Sequence, residues 1–187
     1  SGDDCVLGFL SNLTLAKGID DVIATFERLA RSGKNVRLLL AGPCMASAER
    51  TMIDKALAQW PDRIEYRGPV YGREKSRFYA DIDVFVFPTR TESWGIVLTE
   101  ALSVGRPVIA RLKGCVPWIV RGGCGQGIEA DADFPASAAA HITRWLEQPA
   151  ELAAARAAAT QRSQELEQDA TTQLPAFAAR IRSRRQD

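Results

Sequence analysis

The chain has 187 residues, 46% of them hydrophobic and 25% charged, with 24 basic and 23 acidic residues and a net charge of +1. These values are typical of one globular domain that buries a substantial core. The balanced charge argues against the basic surface by which proteins bind nucleic acids, so we expect no nucleic-acid partner. No apolar run reaches the roughly 20 residues of a membrane span, and we find no signal peptide.

The spacing of the cysteines bears on metal binding and on location. A C-x-x-C pair is the usual mark of a metal or redox site. The sequence has no such pair among its cysteines, Cys5, Cys44, Cys115 and Cys124. We therefore expect four free thiols in a reducing compartment. The predicted location is the cytoplasm.

Short apolar runs alternate along the chain with segments of helical periodicity. In chain order they are strand CVLGFL, helix GIDDVIATFERLARSG, strand NVRLLLAG, helix SAERTMIDKALAQW, strand RIEYRG, helix REKSRFYA, strand DVFVFP, a helix from about Ser93, strand RPVIAR, the single turn CVPWIV and strand QGIEA. Most strands are continuously apolar, which is typical of a parallel sheet covered on both faces. We predict a doubly wound α/β sheet over residues 5–130.

A helical tail rich in alanine is predicted for residues 135–187. Its three segments are PASAAAHITRWLEQP, AELAAARAAATQRSQELEQ and TQLPAFAARIRSRR. His141 lies in the first segment and is interpreted as an ordinary helix residue. Because we find no long linker and no internal repeat, residues 1–187 are predicted to form a single domain.

The stretch TESWGIVLTEAL carries two carboxylates beside an apolar helix. At 100° per residue, Glu100 falls between Ile96, Val97 and Val104 on that helix. A charge in such a position either points out of a narrow exposed strip or meets a polar partner. A solvated surface glutamate is the more common of the two outcomes for one residue taken alone.

Several polar and glycine positions follow predicted strands and therefore converge on one edge of the sheet. Ligands of doubly wound sheets bind outside the carboxyl ends of the strands. The phosphate motif G-x-x-x-x-G-K-[ST], the G-x-G-x-x-G fingerprint and a Ser-His-Asp set are all absent. The positions that we place at this edge are Lys17, Gly42, Gly68, Glu92 and Gly114.

A nucleotide sugar in extended form suits these groups. The first free amides of the helix, near Gly95 and Ile96, are suited to a diphosphate, and Lys17 adds a point charge. Glu100 would accept hydrogen bonds from vicinal hydroxyls such as a ribose diol, and Glu92 would face what lies beyond the phosphates. A glycosidase pair of carboxylates has comparable spacing, but an acid within a helix does not easily face the other across a sugar.

Five blocks of the sequence, in order, resemble the family 4 retaining glycosyltransferases of GT-B fold. They are GFLSNLTLAKGIDDVI, RLLLAGP, YRGPV, FYADIDVFVFPTRTESWGIVLTEALSVGRPVIA and KGCVPWIV, and the resemblance covers residues 5–130. Glu92 and Glu100 match the family's E-x₇-E signature. The resemblance implies that Glu100 binds the ribose hydroxyls, that Glu92 binds the donor sugar or its phosphate, and that Lys17 holds the diphosphate.

The resemblance also implies a set of backbone contacts with the donor. Gly95, Ile96 and Val97 would line the phosphates, and the backbone around Val70 would meet the base. Gly42, which follows the second predicted strand, is included among the predicted donor-binding residues. No metal ion or other cofactor is expected, since Lys17 and the helix-end amides would stabilise the leaving diphosphate.

Two departures from the family pattern affect this interpretation. Asn12, which we include among the donor-binding residues, stands where the family has an arginine in its G-R-L-x-x-x-K-G pattern, so a cation for the diphosphate is missing at that position. The second departure concerns length, because a GT-B enzyme has two Rossmann-like domains. The chain is expected to be the C-terminal, donor-binding domain, without the N-terminal domain that holds the acceptor.

The predicted activity is that of the whole enzyme, which would transfer a sugar from a nucleotide diphosphate donor with retention. The expected partners are the donor, the missing N-terminal domain, and a glycan or lipid-linked glycan acceptor. That domain would allow a peripheral position at the inner face of the membrane. The alternatives are a nucleotide-sugar-binding domain without transfer activity, and a GT-B epimerase or phosphorylase.

Overall fold

The structure, a computed structural model, describes residues 4–183, with side chains described up to residue 172. Six strands form one sheet in the order β3-β2-β1-β4-β5-β6, and all neighbouring strands are parallel. The predicted doubly wound sheet is therefore confirmed. The strands are β1 (Cys5–Leu10), β2 (Val36–Ala41), β3 (Ile64–Tyr66), β4 (Val84–Phe87), β5 (Val108–Arg111) and β6 (Gly125–Ile128).

Helices cover both faces of the sheet, as the apolar strands predict. One face packs on the first, second and sixth helices, with Phe26, Ile53 and Ile142 in its core. The other packs on the third, fourth and fifth, with Phe78 and Leu98 in its core. The helices are α1 (Ile19–Arg31), α2 (Ser47–Gln59), α3 (Gly72–Asp81), α4 (Ile96–Ser103), α5 (Val116–Ile119), α6 (Phe134–Glu147) and α7 (Pro149–Ser183).

The C-terminal helix joins the two layers. Ala155 of α7 belongs to the core under α1 and α6, whereas Ala159 and Leu166 belong to the core under α3 and α4. The prediction of two helices after residue 149 is wrong, because α7 runs without interruption over Pro149–Ser183. Residues 169–171 between the two predicted segments contain neither glycine nor proline, so no residue there ends a helix.

Two further differences from the sequence prediction lie at the edge of the sheet. Helix α4 begins at Ile96 rather than near Ser93, because Gly95 adopts a left-handed conformation with φ 62° immediately before it. A short 3₁₀ turn, Leu15–Lys17, precedes α1 and was not predicted. The Thr14 side chain accepts a hydrogen bond from the amide of Lys17 and thereby fixes the start of this turn.

The order of the strands places two distant loops side by side. From β1 the chain moves outward through β2 and β3, and it then returns to place β4 on the other side of β1. Leu7 of β1 is aligned with Val84 of β4. The loops that follow β1 and β4 therefore leave the sheet together, at the point where strand order reverses and where ligands of this architecture bind.

Candidate functional site

An open cleft of about 450 Å³ lies at the carboxyl ends of β1, β2 and β4. Seven of the nine predicted site residues line it; Gly95 and Glu100 are not among the lining residues. The structure thus brings together residues from four separate segments of the chain. Those seven are Asn12, Lys17, Gly42, Val70, Glu92, Ile96 and Val97.

Lys17 and Glu92, which lie on the loops that follow β1 and β4, form an ion pair. The Lys17 ammonium donates to Glu92 Oε2 over 3.1 Å and to the carbonyl of Thr91 over 2.9 Å. Both side chains are partly shielded from water, with 26% of Lys17 and 14% of Glu92 exposed. The two residues predicted to act on the diphosphate and on the sugar are therefore in direct contact.

The second carboxylate oxygen of Glu92 caps the turn that leads into α4. Oε1 accepts hydrogen bonds from the amides of Ser93, Trp94 and Gly95, over 3.1, 3.2 and 3.1 Å. Burial opposes ionisation, but the Gly95 amide and the Lys17 ammonium outweigh it, so the pKa of Glu92 lies below its ordinary value. Glu92 is thus an anion held rigidly at the cleft.

The start of α4 presents free backbone donors. Within residues 4–183, no hydrogen-bond acceptor is found for the amides of Ile96 and Val97. The next amide, that of Leu98, donates to the carbonyl of Gly95. Both residues line the cleft, and the positive end of a helix attracts an anion. Gly95 is required there, since a Cβ on it would lie 2.6 Å from Ile119 Cδ1.

Glu100 has two protein partners that sequence reasoning missed. Lys75 donates to Oε1 over 2.5 Å, and the hydroxyl of Tyr79 donates to Oε2 over 2.8 Å. Glu100 is also partly exposed, with 32% of its side chain accessible to solvent. Lys75 and Tyr79 both lie on α3 at i, i+4 spacing, which places them on one face of that helix and was the available signal.

The remaining predicted residues form the wall of the cleft on the side of β2. Gly42 has φ 120°, and a Cβ on it would lie 1.8 Å from the carbonyl oxygen of Ser11. Only glycine fits this close approach of two loops. Val70 is buried and Asn12 is exposed, and both line the cleft.

A charged cluster behind the cleft fixes the Lys17 turn, and the sequence did not point to it. The Arg90 guanidinium donates to both oxygens of Asp20, over 2.8 and 2.9 Å, and to Asp21 over 2.8 Å. The guanidinium also donates to the carbonyl of Leu15. The backbone amide of Arg90 donates to the carbonyl of Ala16. The loop that carries Glu92 is thereby tied to the turn that carries Lys17.

Other predictions concern groups away from the cleft. Cys5, Cys44, Cys115 and Cys124 are free cysteines, as the sequence predicts. Among the described residues, no group of three or more His, Cys, Asp or Glu side chains is placed to hold a metal ion. In the same part of the chain, no helix has both the length and the apolar character needed to cross a membrane.

The chain belongs to the glycosyl transferases group 1 family, whose model matches residues 1–162. It is 31% identical over 141 residues to the capsular polysaccharide biosynthesis glycosyltransferase CapM of Staphylococcus aureus. This alignment covers 73% of the chain and 35% of CapM. The chain is 28% identical over 159 residues to a D-inositol 3-phosphate glycosyltransferase of Segniliparus rotundus, covering 80% of the chain and 34% of that protein. The chain thus spans about a third of the length of these relatives.

Solved structures of glycosyltransferases share the fold. The pneumococcal O-GlcNAc transferase GtfA, in complex with UDP and GlcNAc, superposes with a TM-score of 0.70 and 26% identity, covering 86% of this chain and 32% of GtfA. HepE of Anabaena, in complex with UDP-glucose, gives a TM-score of 0.74 at 20% identity, covering 87% and 44%. The sheet and its flanking helices thus have the Rossmann-like fold of one half of a GT-B glycosyltransferase, as predicted.

Proposed function

We propose that the chain is the donor-binding domain of a retaining, family 4 glycosyltransferase and that the cleft binds a nucleoside diphosphate sugar. The observation that carries the proposal is the arrangement of Lys17, Glu92 and the free amides of Ile96 and Val97 around one cleft. A cation and free backbone donors suit a diphosphate, and the neighbouring carboxylate suits the hydroxyls of the sugar that follows it. The UDP bound to GtfA makes uridine diphosphate the first ligand to test.

Each group has a role in this proposal that follows from its contacts. Lys17 and the amides of Ile96 and Val97 bind the diphosphate and stabilise the charge that develops on it as the glycosidic bond breaks. Glu92, fixed by three amides, receives the donor sugar. Glu100 accepts from the ribose hydroxyls, and the backbone near Val70 meets the base.

The proposal includes the rest of the enzyme. An N-terminal domain supplies the acceptor site, and the acceptor is a glycan or a lipid-linked glycan. The name of CapM, a glycosyltransferase of capsular polysaccharide biosynthesis, is consistent with a glycan acceptor. No metal ion takes part, because the diphosphate is stabilised by protein groups alone.

A titration calorimetry panel tests the proposal. UDP, GDP and their common sugar conjugates are titrated into residues 1–187, with and without EDTA. We expect a uridine or guanosine diphosphate to bind, weakly since the closing domain is absent, and EDTA to make no difference. Failure of every nucleoside diphosphate to bind would contradict the proposal, as would binding that requires a divalent cation.

A further inference from the structure

Each oxygen of the Glu100 carboxylate accepts a hydrogen bond from a side chain of α3. Lys75 lies on Oε1 at 2.5 Å and Tyr79 on Oε2 at 2.8 Å. Tyr79 is buried between Phe78 and Phe85, and its hydroxyl is also 3.2 Å from the carbonyl oxygen of Val97. Because Tyr79 is buried and Lys75 is partly exposed, Lys75 is the partner of Glu100 that a ligand hydroxyl can displace.

Tyr79 keeps its proton and stays in place. Burial and the adjacent Glu100 carboxylate both raise the pKa of the Tyr79 hydroxyl, so it donates to Oε2 throughout the ordinary pH range. Lys75 is held less firmly. It has a long flexible stem with a compact charge, 30% of its side chain is exposed, and it lines the cleft itself.

The donor's own diphosphate lies within reach of a displaced Lys75. Ile96 and Glu100 stand at i, i+4 on α4, so their Cβ atoms lie about 5–6 Å apart. A phosphate held at the amides of Ile96 and Val97 is thus about one turn of α4 from Glu100, the residue that the Lys75 ammonium contacts, and Lys75 lines the same cleft as both amide-bearing residues. A lysine side chain covers that distance by rotating about its own bonds.

We propose that Lys75 is a positioning and specificity residue that exchanges partners on donor binding. The ribose hydroxyls take its place on Glu100, and the released ammonium moves to the diphosphate. It then supplies the second cation that Asn12 does not supply. This inference rests on the proposed function, because it assumes that a nucleotide binds in this cleft. Its consequence is discrimination in favour of ligands that carry phosphate.

The exchange predicts effects of opposite sign for two ligands of one protein. Uridine brings hydroxyls without phosphate, so it displaces Lys75 without giving it a new partner. In a Lys75→Met variant Glu100 is free of its competitor, and uridine is expected to bind more tightly by about threefold. UDP loses a charge-assisted contact in that variant and is expected to bind about tenfold more weakly.

Calorimetric titration of residues 1–187 with uridine and with UDP measures both effects. Lys75→Arg, which keeps the charge, is expected to retain UDP binding within a few-fold. Arg73→Met is the matched control, since Arg73 is an exposed cation on the same helix and does not line the cleft; it is expected to change neither affinity. Thermal melting of each variant reports folding.

Three results would overturn the inference. Tighter binding of both ligands by Lys75→Met would show that Lys75 only blocks Glu100, and weaker binding of both would show a structural role. Unchanged binding of both would show that Lys75 takes no part. Each of these leaves the proposed function standing, whereas failure of the unmutated chain to bind either ligand would contradict the proposed function itself.

Discussion

The ammonium of Lys17 lies 3.1 Å from the carboxylate of Glu92, although 75 residues separate them in the chain. They meet because β1 and β4 are adjacent parallel strands whose loops leave the same edge of the sheet. Lys17 also holds the carbonyl of Thr91, so its charge is fixed rather than free to sample solvent. A fixed cation stabilises developing charge without reorganisation at the moment of reaction.

Replacing Lys17 by methionine should remove most of the affinity for the diphosphate. We expect UDP to bind more weakly by roughly 1.5–3 kcal/mol, the range for a hydrogen bond to a charged group, and uridine to bind almost as before. Titration calorimetry with the two ligands makes the comparison. Lys55→Met on the exposed face of α2 is the control, and an equal loss for both ligands would contradict the assignment of Lys17 to the phosphates.

The two glutamates of the E-x₇-E stretch should fail in different ways. Glu100→Gln should weaken the binding of UDP by roughly 1.5–3 kcal/mol, because the ribose hydroxyls lose charge-assisted hydrogen bonds. Glu92→Gln should leave the affinity for UDP nearly unchanged and weaken only the binding of the sugar-bearing donor. UDP and UDP-glucose are titrated into both variants. If both variants lose both ligands equally, the glutamates serve structure rather than recognition.

Glu92 should make the free energy of unfolding of the domain depend on pH. Its pKa in the folded chain lies below the ordinary value of 4.5, so its contribution is present above about pH 4.5 and is lost as the pH falls through the folded value. The stability advantage of the unmutated chain over Glu92→Gln should therefore shrink on acidification. Urea unfolding at a series of pH values measures it, and an advantage that grows toward low pH would contradict the sign.

Gly114 should tolerate no side chain, because of its contact with the Glu92 loop. It has φ 55°, and a Cβ would lie 1.9 Å from the carbonyl oxygen of Glu92. Gly33 has φ 79°, and among the described residues nothing lies within 4 Å of its Cβ position. Gly33→Ala should thus cost only about 1–2 kcal/mol of backbone strain, whereas Gly114→Ala should cost more and weaken UDP-glucose binding. Urea unfolding and calorimetry test both, and equal costs would contradict the prediction.

The sheet could be predicted from the sequence because its signal is local. Runs such as CVLGFL and DVFVFP are short and continuously apolar, and each became a buried strand. The start of α4 could not be predicted to the residue, because Ser93 and Trp94 are compatible with a helix. Their amides are instead held by Glu92 Oε1, and this contact depends on the folded loop.

The part of the cleft that was predicted lies at strand ends, where topology alone brings residues together. Lys17, Gly42 and Glu92 follow β1, β2 and β4 and were found from that rule. Lys75 escaped it because it lies inside a helix and meets Glu100 only through the packing of α3 against α4. The ion pairs between Arg90 and the acids of α1 were not predicted either. Acids in the first turn of a helix already have a local explanation in the helix dipole.

Chemical-shift mapping tests the central claim, that a nucleoside diphosphate binds at the carboxyl ends of β1, β2 and β4. UDP is titrated into uniformly ¹⁵N-labelled chain, and the amide resonances are followed. The account predicts that the largest shifts fall on Gly42, Val70, Gly95, Ile96 and Val97, and that they vanish in the Lys17→Met, Glu100→Gln double variant. Shifts confined to α6 and α7, or shifts that survive in the double variant, would contradict it.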